Sequence, residues 1–210
     1  MSAANLEPSL RERKHLRMRQ TIIEEAIRLF EKKGYSNTTL KDIGDAAETS
    51  IATIMRYFNS KDGILLHKER SIVAELLDRV RSRFYQSLSE GVRDISRRSE
   101  VDLAERQRLY EIIHKDPEFV PLLATMRREW EGLLEQLYLQ FSPKTREGRL
   151  RAKSLAMMQT AIGIAGAQFW HEEEPGRPYP MQRDLTDEFI AAFVKPLEKA
   201  FAASSSAKRG

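Results

Sequence analysis

Side chains that could do chemistry are spread thinly along this chain, and their spacing argues against catalysis. The four histidines, His15, His67, His114 and His171, lie far apart, and neither a Ser/His/Asp order nor a glycine-rich phosphate loop occurs. His171 precedes Glu172, Glu173 and Glu174, but consecutive helical residues fan around the axis, so a solvated acidic terminus is a better reading than a metal site. With no cysteine, thiol catalysis, Cys-ligated metals and a disulfide scaffold drop out. No enzyme, cofactor or metal is expected. What remains is chemistry suited to a polyanion. Residues 1–20 hold Arg11, Arg13, Lys14, Arg17 and Arg19 against Glu7 and Glu12, a local charge of +3. That fits an arm laid on phosphate as well as it fits a solvated, frayed terminus.

The whole chain says less than this local excess. It has 210 residues, 35 basic and 31 acidic, for a net charge of +4. Hydrophobic content of 41% with a mean hydropathy of −0.52 describes a soluble globular protein. The longest mostly apolar run, Ala161 to Trp170, is about half a membrane span. No apolar signal region follows the basic N-terminus, so a cytoplasmic protein without membrane partners is expected.

The elements that must position any site are helical. Ile22/Ile23, Ala26/Ile27 and Leu29/Phe30 recur three and four apart, which predicts a first helix from about Arg11 to Lys33, stopped by Gly34. Thr39 to Asp42 reads as a capping box for a short helix near 40–46, and Thr49 or Ser50 caps a third near 50–57. Ser60 opens a fourth, long helix carrying Ile64, Leu65, Ile72, Leu76, Val80 and Phe84. Ser99 with Asp102 predicts another, ending near Lys115, and Asp116-Pro117 restarts the chain into a helix with Phe119, Leu122, Met126, Trp130, Leu133, Leu137 and Phe141. Helices follow at about 143–173 and 185–202, with a kink or early end at Pro196. The fold class is all-α.

Two short helices joined by Ala46-Ala47-Glu48-Thr49 are too short to stand alone in water. They make sense as a helix-turn-helix locked by Leu40, Ile43, Ala47, Ile54 and Phe58, although spacing alone also suits a plain helical hairpin. The residue identities go further. Arg19, Ile22, Ala26, Leu29-Phe30, Gly34-Tyr35, Thr38-Thr39-Leu40, Ile43, Ala47, Ser50, Ala52-Thr53-Ile54, Tyr57-Phe58 and Lys61 follow an order and spacing that resembles the N-terminal domain of TetR-family transcriptional regulators. The resemblance covers residues 19–65. Three positions depart from it: Gly44 stands for the usual Ala and should loosen its helix. Glu48 replaces the turn Gly and faces a left-handed backbone. Met55 takes the place of a common Tyr that reaches phosphate.

Given that fold, Ile54 and Phe58 face the core, which leaves Ile51, Ala52, Thr53, Met55, Arg56 and Tyr57 toward a DNA groove. Arg56 is the candidate for a bidentate contact to guanine. Ala52 allows close approach, and Thr53, Ile51 or Met55 touch thymine methyls or backbone. Tyr57, Thr39 and Lys41 suit phosphate, and Lys61 sits at a helix N-terminus that favours an anion.

The resemblance further implies a helix-turn-helix DNA-binding domain at 1–65, a helical ligand-binding and dimerisation domain at 66–203 and a loose tail at 204–210. A homodimer through helices 143–173 and 185–202 would read a palindromic double-stranded operator. Ala161, Gly163, Ala165, Gly166 and Ala167, with Phe189, Ala192, Phe193 and Leu197, suit close helix packing, within one chain or between two. Tyr110, Met126, Trp130 and Met158 either line a cavity for a small apolar or amphipathic effector or are simply core. The function expected is a repressor released by such a ligand; the alternatives are an architectural or nucleoid factor that needs no effector, or an interaction adaptor.

Overall fold

A computed structural model describes residues 9–99, 112, 120–173 and 181–206, and every regular element among these described residues is helical. The chain divides into two compact units, residues 1–68 with 108–122 and residues 69–107 with 123–210.

The first unit begins with α1 (Leu10–Lys33). Its cap is a Ser9–Glu12 box: the Ser9 hydroxyl accepts the Glu12 N–H at 3.2 Å, and the Glu12 carboxylate accepts the Ser9 N–H at 2.7 Å. This cap draws Arg11, Arg13, Lys14 and Arg17, expected as an arm, into the exposed first turns of the helix. Ile22, Ala26, Ile27 and Phe30 form its buried stripe, and Gly34 ends it at a φ of +85°.

Next come α2 (Leu40–Ala46) and α3 (Ile51–Phe58), of seven and eight residues. Thr39 and Asp42 form the expected capping box, and the Ser50 hydroxyl caps α3 by accepting the Thr53 N–H. Ile43, Ala47, Ile54 and Phe58 are all buried, while Leu40 is half-buried. Glu48 does take the left-handed backbone, with φ +51°. Gly44 has a packing role besides its expected effect on the helix. A Cβ there would lie 2.8 Å from the Thr49 carbonyl oxygen, so its absence lets the turn close down onto α2. The Thr49 N–H then reaches the Gly44 carbonyl at 2.8 Å.

The expected long fourth helix is two helices. Ser60 caps α4 (Lys61–Leu65), the chain turns at buried Leu66 (φ −83°, ψ 0°), and α5 runs from His67 to Arg81. Apolar periodicity passes unbroken through that turn, which hides it in the sequence. Arg83 at φ +54° places Phe84 beyond the helix, exposed to solvent. An Arg19 guanidinium N–H donates to His67 Nδ1 at 2.8 Å, and both groups pack on the Phe58 ring. Because guanidinium can only donate, Nδ1 accepts and the imidazole is neutral. Burial first, and the Arg19 charge second, push the His67 pKa down.

The second unit contains α6 (Leu88–Ser99), which the sequence reading missed. Its signal was Ser87 with Glu90: the Ser87 hydroxyl accepts the Glu90 N–H, and Glu90 accepts the Gln86 N–H. Ser99 therefore ends a helix where it was expected to start one; Asp102 and Asp116-Pro117 lie outside the described residues. After α7 (Val120–Phe141), α8 spans Arg146–Glu173. Thr145, not Ser142-Pro143, supplies its cap by accepting the Gly148 N–H at 3.0 Å. The last helical path starts at Met181, earlier than expected: α9 (Met181–Phe189), a π turn at Ile190–Val194, then α10 (Lys195–Ser206). The wide turn precedes Pro196 and accommodates its missing N–H, so the helix neither ends nor stops short there.

One hydrophobic core holds these elements, with Leu76, Leu88, Val92, Leu133, Leu137, Ala156, Ile190 and Val194 among its most buried members. Buried Tyr138 donates to Gln159 Oε1 at 2.8 Å, and the Glu198 carboxylate accepts both the N–H and the hydroxyl of Ser89 at 2.8 Å. Those bonds satisfy polar groups that would otherwise be stranded in an apolar interior.

Two outcomes follow. Gly44→Ala should destabilise the protein by about 1–3 kcal/mol, because the methyl meets a backbone oxygen, whereas helix propensity alone gives a gain of up to about 1 kcal/mol; the sign of the change in urea unfolding decides between them. For His67 the folded-state pKa is depressed, so the unfolded chain takes up the proton first as pH falls below 6.5. Its contribution is present above that pH and lost below it. Comparing urea unfolding at pH 7.5 and 5.5, the stability lost by the wild type should exceed that lost by His67→Asn.

Candidate nucleic-acid interface

The surface of α3 is divided by its own periodicity. Ile54 and Phe58 are buried, and the opposite side carries Ile51, Ala52, Met55 and Arg56 into solvent, with Thr53 and Tyr57 half-buried. Ile51 is 45% exposed and Met55 40%, unusual positions for large apolar side chains on a helix so firmly anchored. All six positions expected on the groove side are therefore at least partly accessible.

Arg56 and Tyr57 have defined surroundings. The Arg56 guanidinium lies 5.6 Å from the Tyr57 ring centroid, and that ring meets His15 of α1 edge-on at 4.7 Å. Tyr57 thus spans α3 and the first turns of α1, and Arg56 rests on it. Cation–π contact of this kind is worth about 0.5–1 kcal/mol at an exposed site and narrows the range of guanidinium positions. His15 carried no sequence signal for this role. It acts only because α1 brings it alongside α3.

Other expected contacts are engaged in holding the fold. The Thr39 hydroxyl donates to Asp42 Oδ2 at 2.6 Å and accepts the Asp42 N–H at 3.1 Å. Lys33 meets the same carboxylate at 2.7 Å, and Lys33 and then Thr39 hold the Asp42 pKa well below the usual range. Lys41 pairs with Asp45 at 2.7 Å, an exposed i,i+4 pair that is weak enough to exchange for phosphate. Lys61 is not simply displayed at a helix end. Its ammonium donates to the Tyr35 carbonyl at 2.8 Å and lies 3.9 Å from the centre of the Tyr35 ring, whose hydroxyl donates to Asp62. It clips the Gly34–Tyr35 turn to the start of α4. Thr53 shares the cap with Ser50, hydroxyl to hydroxyl at 2.9 Å.

The candidate effector residues of the second unit are less concentrated. Trp130 and Met158 are half-buried and pack against the one core, and Met126 is half-buried on α7. Tyr110 lies outside the described residues. Among the described residues no group of three or more His, Asp or Glu side chains is placed to hold a metal, and no helix is long and apolar enough to cross a membrane.

Residues 22–67, which contain α2, α3 and α4, match the family model described as bacterial regulatory proteins, tetR family. The HTH-type transcriptional regulator TcmR of Streptomyces glaucescens is 25% identical over 175 residues, 78% of this chain and 77% of TcmR. The fold is similar to that of NalD, the secondary repressor of the MexAB-OprM multidrug efflux pump in Pseudomonas aeruginosa, with a TM-score of 0.58 at 16% identity, covering 86% of this chain and 97% of that one. It is also similar to FadR, a repressor from Thermus thermophilus solved with lauroyl-CoA, with a TM-score of 0.52 at 21% identity over 82% of this chain and 93% of that one. Residues 22–67 thus carry a helix-turn-helix of the tetR-family type, in a chain whose relatives and like-folded structures are TetR-family transcriptional regulators.

Proposed function

We propose that the chain is a homodimeric, sequence-specific repressor that reads an inverted-repeat operator and is released by a small apolar or amphipathic ligand. The carrying observation is the divided surface of α3, with one side buried and Ile51, Ala52, Met55 and Arg56 presented outward beside the cationic first turns of α1. In this reading residues 1–65 are the DNA-binding domain, 66–203 the regulatory and dimerising domain and 204–210 a tail. Arg56 makes the bidentate guanine contact. Tyr57, Thr39, Lys41 and Lys61 serve the phosphates, with Arg11, Arg13, Lys14 and Arg17 adding salt-sensitive affinity. Thr39 and Lys61, already bonded within the fold, contribute chiefly by placing backbone N–H groups.

Pairing of two chains is supported by the apolar side chains that α8 and the last helix leave in solvent. Leu150, Met157 and Ile164 recur every seven residues on α8, joined by Phe169 and by Phe193, all at least 38% exposed. Ala161, Ala165 and Ala192 are exposed among them, whereas Phe189 is buried in its own chain's core. Burying each of the larger groups contributes about 1.5–3 kcal/mol toward pairing, set against the entropy that association costs. The effector half of the proposal rests on the like-folded FadR, solved with lauroyl-CoA, and on half-buried Trp130, Met158 and Met126 as candidate apolar contacts; Tyr110 is assigned with them from the sequence alone.

Arg56→Ala should weaken binding to a selected operator by about 1–3 kcal/mol while leaving binding to random duplex unchanged. Equal weakening of both would make Arg56 a phosphate contact and remove the assignment. For the dimer, Met157→Glu combined with Phe193→Glu should convert the chain to monomers in sedimentation velocity; a persistent dimer places the interface elsewhere.

A further inference from the structure

The exposed apolar pair on α3 has no structural reason to be there. Ile51 and Met55 are four residues apart, on one side of a helix, and 45% and 40% exposed. Helix stability does not require them, since Ile54 and Phe58 supply the anchoring and Ser50 the cap. Neither belongs to the buried set of the unit. Beside them stands exposed Arg56, and the flanking turns of α1 carry Arg11, Arg13, Lys14 and Arg17. An apolar pair beside cations suits a surface that is anionic at its rim and carries isolated apolar points inside. The major groove of DNA is such a surface, with phosphates along its edges and C5-methyl groups of thymine on its floor.

We infer that Ile51 and Met55 are specificity-determining residues that read two thymine methyls in each half-site. The inference rests on the DNA-binding reading above and deepens it. Four residues of helix advance about 6 Å, and base pairs along the groove are spaced by about 3.4 Å. The two methyls therefore lie within about two base steps of each other, next to the guanine assigned to Arg56. Met55, unbranched and adaptable, can follow a methyl whose position shifts with local groove shape.

The test uses a duplex recovered by in-vitro selection from a random pool, resynthesised with deoxyuridine in place of thymidine at one position at a time. Pairing is unchanged and only the methyl is lost. Wild-type protein should lose about fourfold in affinity at each of two positions per half-site, the effect of one buried methyl-sized group. Ile51→Ala should abolish the penalty at one position and Met55→Ala at the other. Both side chains are exposed, so circular dichroism should show the fold retained. Wild-type binding that is insensitive to every uracil overturns the inference while leaving the regulator reading intact. Alanine variants that keep both penalties overturn it too, and would mark the pair as a surface for a protein partner. A selection that returns no consensus sinks the regulator reading and the inference with it.

Discussion

A seven-residue helix and an eight-residue helix have no stability of their own in water, because the cost of starting a helix is not recovered over two turns. Everything that α3 offers to a partner therefore depends on how firmly its inner side is held. Ile54 and Phe58 supply that hold from α3, and Ile43 and Ala47 receive it from α2 and its turn. The Gly44–Thr49 contact fixes the spacing between them: a hydrogen bond of 2.8 Å forms where a side chain would block the approach. Glu48 then accepts a left-handed backbone so that Ser50 can cap α3. Rigid presentation of the outer side is a consequence of this closure.

The charges surrounding that closure divide into two groups. Lys33, Asp42 and Thr39 form a compact bonded set at the start of α2, and Lys61, Tyr35 and Asp62 form another at the start of α4. These clip short helices to their neighbours. Arg56, with Arg11, Arg13, Lys14 and Arg17, stands outside them on accessible surface. A net charge of +4 on 210 residues conceals this separation. Cations that stabilise the domain and cations available to a polyanion are different residues, even where both lie within one motif.

Much of the first unit was legible from residue types. Capping residues Thr39, Ser50 and Ser60 named the starts of α2, α3 and α4, and three-and-four spacing named the buried stripe of α1. Side-chain engagement was not legible, because Lys61 meets the Tyr35 carbonyl only after the chain has folded back. Nor was the effect of Gly44, whose meaning depends on where Thr49 comes to rest. The continuous apolar pattern from Ile64 to Phe84 hid the turn at Leu66, and in the second unit Ser99 with Asp102 resembled a cap more closely than the true one at Ser87. Pro196 signalled a disturbance correctly, yet a π turn absorbed it in place of a break. Caps and periodicity are local and can be read; contacts across many residues, such as Arg19 with His67, cannot.

The central claim is that a rigidly held α3 recognises a particular base sequence in a paired arrangement. Selection of bound fragments from random genomic DNA, with affinity for the winner and for a scrambled duplex measured across salt concentrations, tests it most directly. The account predicts an inverted repeat, bound at least about a thousandfold more tightly than the scrambled duplex at physiological salt, with salt lowering affinity for both. Recovery of fragments without a shared sequence, bound no more tightly than scrambled DNA, would contradict it.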